Sequence, residues 1–165
     1  GHVGEVPTMD DWTDHITTSF PEVRLKHFIE MRGADGGPQS GLCALPALWV
    51  GLLYDSTALD AAWDICKDWT DAERTALRDD APRLGLKTPF RLETIQEIAG
   101  RVLEVSRAGL ANRRKMDRSG KDETMFLNVL DEIAKSGTTA ADDMLAAYHG
   151  RWNGDVKKLY DEYSY

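Results

Sequence analysis

The residues with the clearest chemical potential lie in one alternating segment, residues 22–32. Side chains two positions apart share a face of an extended strand. One face of this segment would carry Arg24, Lys26, Phe28, Glu30 and Arg32. Several cations around a single carboxylate suit an anion, and that carboxylate is also a hard oxygen ligand for a divalent metal. The segment therefore predicts one wall of an anion-binding cleft.

Each of these residues could instead have a purely structural role. Glu30 could form a same-face salt bridge with Lys26 or Arg32 and nothing more. A glycine-rich loop, residues 33–41, follows the segment. It could bring backbone N–H groups close to a ligand, although most such loops are only turns, and its Asp35 could be a turn-former. His27 falls on the apolar face and is predicted to be a hydrogen-bonded core residue.

Composition and charge indicate which classes of protein fit this sequence. The 165 residues include 42% hydrophobic and 29% charged residues, which is typical of a globular domain. The formal net charge of -8 argues against nucleic acid as a main partner. A local exception is a basic cluster. Its members are Arg107, Arg113, Arg114, Lys115, Arg118 and Lys121. A solvated helix end is the favoured interpretation of this cluster, and a phosphate contact is the alternative.

The remaining bulk features predict a cytoplasmic protein without a membrane span. The longest apolar run, residues 42–54, is shorter than a span requires and contains a proline, so it predicts a buried helix. The two cysteines, Cys43 and Cys66, lack metal-type spacing and are predicted to be buried small residues. A disulfide between them is the alternative, which the composition does not favour.

The pattern along the chain predicts a mainly α fold of six to seven helices with one conspicuous strand over about 22–32. Thr8 and Thr70 are predicted to cap helices. We expect a single unit in which residues 1–5 form a terminal linker and residues 42–165 form a helical body. A lone strand cannot satisfy its own backbone groups. Either a partner strand lies hidden in this chain, or the strand joins a sheet made elsewhere; the pattern favours the second.

Several motifs resemble, in order, the glutamate–cysteine ligases of the plant and proteobacterial type. The matching segments include residues 20–26 (FPEVRLK), 30–38 (EMRGADGGP), 43–55 (CALPALWVGLLYD), 86–91 (LKTPFR) and 160–165 (YDEYSY). The resemblance covers nearly the whole chain after Glu5. It implies the C-terminal portion of an enzyme several hundred residues long.

The resemblance also implies a reaction, the fold of the full enzyme and its partners. Such enzymes use ATP and Mg²⁺ to join the glutamate γ-carboxylate to the cysteine amine through a γ-glutamyl phosphate, the first step of glutathione synthesis. The full enzyme would have an α+β fold of the glutamine synthetase-like type. This chain alone would be catalytically incomplete. Its implied partners are glutamate, cysteine, ATP, the N-terminal part of the same enzyme and a second copy in a homodimer, with neither nucleic acid nor membrane.

The site roles follow from the same resemblance. Glu30 would bind the metal, while Arg32, Arg24 and Lys26 would act as catalytic cations. Arg32 and Asp35 would also bind substrate. ATP would be contacted by Lys87 and Arg91, for which a solvated linker is the alternative. Two other functions remain open: a stand-alone helical interaction domain whose strand pairs with a partner's sheet, and a related carboxylate–amine ligase with another amine substrate.

Overall fold

The computed structural model describes residues 4–164. The chain divides into two compact units, Gly1–Gly36 and Gly37–Tyr165, which are described separately. The sequence predicts one segment of a larger enzyme, and that assignment stays a prediction. Helices dominate the described residues, so the predicted mainly α class is confirmed.

The first unit contains one helix and one small hairpin. Its elements are α1 (Met9–Thr17), β1 (Val23–Leu25) and β2 (Ile29–Met31). Thr8 caps α1 as predicted, because its hydroxyl accepts from the Asp11 N–H while the Asp11 carboxylate accepts from the Thr8 N–H. The capped helix leads through residues 18–22 into the hairpin.

The prediction of one continuous strand over residues 22–32 is wrong, because the chain folds back on itself within this segment. β1 and β2 pair antiparallel with Val23 opposite Met31, Arg24 opposite Glu30 and Leu25 opposite Ile29. The partner strand is therefore hidden inside the segment itself, and the two short strands satisfy each other's backbone groups. Facing cross-strand residues share a face, so the hairpin still places Arg24 and Glu30 together.

The apolar face of the hairpin is open in this unit. Val23, Leu25 and Ile29 are 53%, 81% and 55% exposed. His27 is also exposed, which corrects its predicted place in a core. Two three-residue strands are too small to bury a face of their own.

The second unit is a helical body with a second small hairpin. Its α-helices are α2 (Gln39–Leu53), α3 (Ser56–Cys66), α4 (Asp71–Leu84), α5 (Ile95–Arg113), α6 (Asn128–Ser136), α7 (Ala140–His149) and α8 (Lys158–Glu162). The strands β3 (Pro89–Phe90) and β4 (Glu93–Thr94) pair antiparallel. Two 3₁₀ turns, Gly85–Lys87 and Glu123–Leu127, precede β3 and α6 respectively.

The core of this unit forms where α2 crosses α5. A buried cluster of Ala47, Leu110 and Leu127 lies at the centre. Next to it the buried Ser106 hydroxyl donates to the Leu48 carbonyl at 2.9 Å. The backbones approach so closely that a Cβ on Gly109 would lie 1.9 Å from the Gly51 carbonyl oxygen. Only glycine permits this contact.

Two further features concern α2 and α3. Cys43 and Cys66 are free thiols in the structure. Both are half-buried, so the prediction that they are buried is wrong. Among residues 4–164, no single helix is long and apolar enough to cross a membrane; α2 and α3 pass that test only as a pair bent by 94°.

Candidate functional site

Four charged side chains meet on one face of the β1–β2 hairpin. The Arg24 Nε atom lies 2.8 Å from the Glu30 Oε2 atom, with good hydrogen-bond geometry. The Arg32 guanidinium and the Lys26 ammonium lie 3.9 and 4.0 Å from the same oxygen. The structure therefore groups all four residues that the sequence assigned to catalysis and metal binding. We call them the hairpin charge cluster.

The cluster carries an excess of positive charge. Three cations surround one carboxylate, which leaves a formal charge of about +2 to attract an anion. The hydrogen bond from Arg24 lowers the pKa of Glu30, and the charges of Arg24, Lys26 and Arg32 lower it further against the opposing effect of desolvation. Glu30 is thus held as a carboxylate, which is the form that both ion pairing and metal ligation require.

An aromatic ring holds Arg32 from another side. The Arg32 guanidinium carbon lies 4.7 Å from the centre of the Phe20 ring, a cation–π contact. The Arg32 backbone N–H donates to the Glu22 carbonyl at 2.9 Å, which fixes the residue just after β2. Sequence reasoning missed Phe20, because it precedes the strand and no periodicity connects it to Arg32.

Asp35 lies in the loop after β2 and is exposed. Within residues 4–164, its carboxylate forms no hydrogen bond or ion pair. It is available for a ligand, and its substrate-binding role stays a prediction.

Lys87 and Arg91, predicted to contact ATP, belong to the second unit. Arg91 is already engaged: it donates to the two Glu73 carboxylate oxygens at 2.7 and 3.0 Å, and to the Asp68 carboxylate and carbonyl at 3.2 and 3.0 Å. Arg91 also has a left-handed backbone with φ of 53°. These contacts fasten the β3–β4 turn to the start of α4, which is a structural role. Lys87 is exposed, and its charge lowers the pKa of Asp142 as a lesser contribution after the Thr139 hydrogen bonds.

The Arg91–Glu73 pair predicts a specific dependence of stability on pH. The Arg91 hydrogen bonds, followed by the Thr70 N–H, lower the pKa of Glu73 to about 2. An unfolded glutamate titrates near 4.5, so this contribution is complete above that pH and is lost as pH falls towards 2. The melting temperature of Glu73→Gln should therefore fall less steeply than that of the wild type over this range. The control Glu104→Gln, an exposed position on α5, should follow the wild-type curve. Parallel curves for all three proteins would contradict the assignment.

Comparison with known proteins shows the class to which this chain belongs. The model of glutamate-cysteine ligase family 2 (GCS2) matches residues 1–162. The chain is therefore a member of this family, and the resemblance seen in the motifs is confirmed.

Individual relatives make the similarity more specific. The chain is 49% identical to the chloroplastic glutamate–cysteine ligase of Arabidopsis thaliana over 162 residues, 48% to that of Solanum lycopersicum, and 47% to ligase A of Oryza sativa subsp. indica. Each alignment covers 98% of this chain. The chain spans only 30–32% of the length of these relatives. All three are named chloroplastic, so the prediction of a cytoplasmic location is wrong.

Proposed function

We propose that this chain is a segment of an ATP-dependent glutamate–cysteine ligase, with the hairpin charge cluster forming one wall of its active site. The observation that carries the proposal is the convergence of Arg24, Lys26 and Arg32 on the Glu30 carboxylate. In the proposed reaction, which family membership supports, ATP phosphorylates the glutamate γ-carboxylate, and the cysteine amine then displaces phosphate to form the amide. Both steps involve anionic groups that a positively charged wall would stabilise.

Each cation of the cluster has a role suited to its surroundings. Arg32 is held by Phe20 and by its backbone, so its planar fork is positioned to bind a phosphoryl or carboxylate group. Arg24 is restrained by its hydrogen bond to Glu30, and its charge contributes to the positive electrostatic potential of the cluster. Lys26 is the most exposed of the three at 45%, and its mobile ammonium can follow the anion as charge shifts. Asp35, beyond the hairpin, is proposed to bind the glutamate amine.

Glu30 is proposed to ligate Mg²⁺, whose chemistry would be to neutralise the phosphate oxygens. Its carboxylate is the right donor type for this ion. Among residues 4–164, however, no group of three or more candidate ligands is present. Glu30 would therefore be one of several ligands of the metal ion. The others would be phosphate oxygens, water and carboxylates of the remaining polypeptide.

The rest of the enzyme is proposed to complete both the sheet and the site. The open apolar face of the hairpin supports this proposal, since Leu25 remains 81% exposed in its own unit. For ATP, Lys87 is the more available of the two predicted contacts because the Arg91 donors are occupied. The homodimer stays a prediction.

The reaction itself is tested with the full-length enzyme that contains this segment. Formation of ADP should require glutamate and cysteine together, and mass spectrometry should identify γ-glutamylcysteine as the product. Omission of either amino acid is the matched control. Equal turnover when alanine replaces cysteine would contradict this function and would favour a ligase with another amine substrate.

A further inference from the structure

Phe20 lies beside the hairpin charge cluster, and apolar packing within the first unit does not account for its position. Its ring is 75% exposed, so burial contributes little to holding it there. The Arg32 guanidinium carbon lies 4.7 Å from the centre of this ring. The large apolar side chain is therefore placed against a cation and not within an apolar core.

The chain brings this ring to Arg32 through a short and stiff connection. Pro21 follows Phe20, and a proline fixes its own φ angle and disfavours the helical region for the residue before it. One residue further on, the Glu22 carbonyl accepts from the Arg32 backbone N–H at 2.9 Å. Residues 20–22 thus hold Arg32 at two points, its side chain through the ring and its backbone through the carbonyl.

These contacts leave the hydrogen-bonding edge of the Arg32 guanidinium open. The Glu30 Oε2 atom lies 3.9 Å from it, which is too far for a hydrogen bond. Within residues 4–164, no side-chain N–H group of Arg32 donates a hydrogen bond. Arg24 differs, because its Nε–H group already donates to Glu30 at 2.8 Å. Arg32 is therefore an arginine whose planar set of donors is both held in place and unoccupied.

This arrangement determines the kind of group that Arg32 can bind. The Phe20 ring occupies one side of the guanidinium and leaves the in-plane N–H groups free for a ligand. Two of those N–H groups together match two oxygens of one carboxylate or phosphoryl group. A spherical anion such as chloride cannot fill both positions at once.

We propose that Phe20 is a positioning residue whose ring preorganises the Arg32 guanidinium to bind an oxyanion through two oxygens. Arginine has several rotatable bonds, and ordering them on binding costs conformational entropy. A ring that holds the guanidinium before the ligand arrives removes part of that cost. Phe20 acts through Arg32 and touches no reacting atom. The assignment of the oxyanion to a carboxylate or phosphoryl group of the ligase reaction rests on the proposed function.

The contact itself is measured on the 165-residue chain without substrates. The ring current of Phe20 should shift the Arg32 side-chain protons upfield in a proton NMR spectrum, and Phe20→Leu should return them towards ordinary arginine values. Arg32→Lys identifies these resonances by removing them. Tyr54→Leu is the matched control, because Tyr54 makes the same kind of contact with Arg113 at 5.6 Å in the second unit. An unchanged Arg32 spectrum in Phe20→Leu would overturn the inference.

The consequence for catalysis is measured in the full-length enzyme. Phe20→Leu keeps an apolar side chain but removes the aromatic face, so kcat/KM for glutamate or ATP should fall about fivefold to tenfold. Phe20→Tyr and Phe20→Trp keep that face and should retain wild-type values to within about twofold. The effect of Phe20→Leu should nearly vanish in the Arg32→Lys background, because a hydrated ammonium lacks the planar donors. Tyr54→Leu should leave all constants unchanged.

The constant that changes identifies the oxyanion. A higher KM for glutamate indicates a substrate carboxylate, and a higher KM for ATP indicates a nucleotide phosphate. A lower kcat with both KM values unchanged indicates the phosphoryl group in transfer, since that interaction is made only in the transition state.

Three kinetic outcomes would overturn this inference. They are wild-type constants in Phe20→Leu, an equal loss in Phe20→Leu and Phe20→Trp, and an undiminished effect of Phe20→Leu in the Arg32→Lys background. None of them bears on whether the enzyme joins glutamate to cysteine, which is tested by the identity of the product. Conversely, an enzyme that joined glutamate to another amine would contradict the proposed function and would still show the Phe20 effect, because its first step uses the same oxyanions.

Discussion

Replacing Gly109 by alanine is expected to lower the free energy of unfolding by about 2–3 kcal/mol. The new Cβ would lie 1.9 Å from the Gly51 carbonyl oxygen and 2.9 Å from the Ala58 Cβ. Neither neighbour is the far end of a flexible side chain, so α2 and α5 must move apart. That movement would also disturb the Ser106–Leu48 hydrogen bond and the apolar cluster beside it.

Gly100 on the same helix is the matched control. A Cβ at Gly100 meets no atom within 4 Å. Alanine there should stabilise the protein by about 0.5–1 kcal/mol, because glycine loses more conformational freedom in a helix. Urea denaturation followed by tryptophan fluorescence measures both variants. Similar unfolding midpoints for Gly100→Ala and Gly109→Ala would contradict the close α2–α5 crossing.

The second large effect is expected at the hairpin charge cluster. In the full-length ligase, Glu30→Gln should lower kcat on the order of 100-fold or more, because it removes a proposed metal ligand and the charge that restrains Arg24. Folding should be preserved, since the glutamine side-chain oxygen can still accept a hydrogen bond from Arg24. Asp14→Asn is the control: it removes an exposed carboxylate from the same unit without touching the cluster.

Much of the helical framework could be predicted from the sequence because its signals are local. The Thr8 and Thr70 caps follow from a threonine and an acid three residues apart, and both form as expected. The hairpin could not be predicted so directly. Residues 26–28 are Lys-His-Phe, without the glycine, asparagine or proline that marks a tight turn.

The charge cluster was predictable for a reason that did not depend on the strand being continuous. Arg24 and Glu30 share a face in a straight strand and also as opposite partners in the observed register. Contacts between residues far apart in the chain could not be predicted from local sequence patterns. Arg91 resembles a free cation in sequence, yet its carboxylate partner Glu73 lies 18 residues earlier in the chain. Only the packing of the β3–β4 turn against α4 brings them together.

The central claim is that the hairpin charge cluster takes part in the ligase reaction and is not merely an ion-pair network. Steady-state ADP formation by full-length Glu30→Gln, titrated with Mg²⁺ at saturating glutamate, cysteine and ATP, tests it most directly. The predicted result is a large loss of kcat together with a higher Mg²⁺ requirement, while Asp14→Asn keeps wild-type values and both variants retain the wild-type melting temperature to within a few degrees. Wild-type kcat and an unchanged Mg²⁺ dependence in Glu30→Gln would contradict the claim and would leave Glu30 as a structural partner of Arg24.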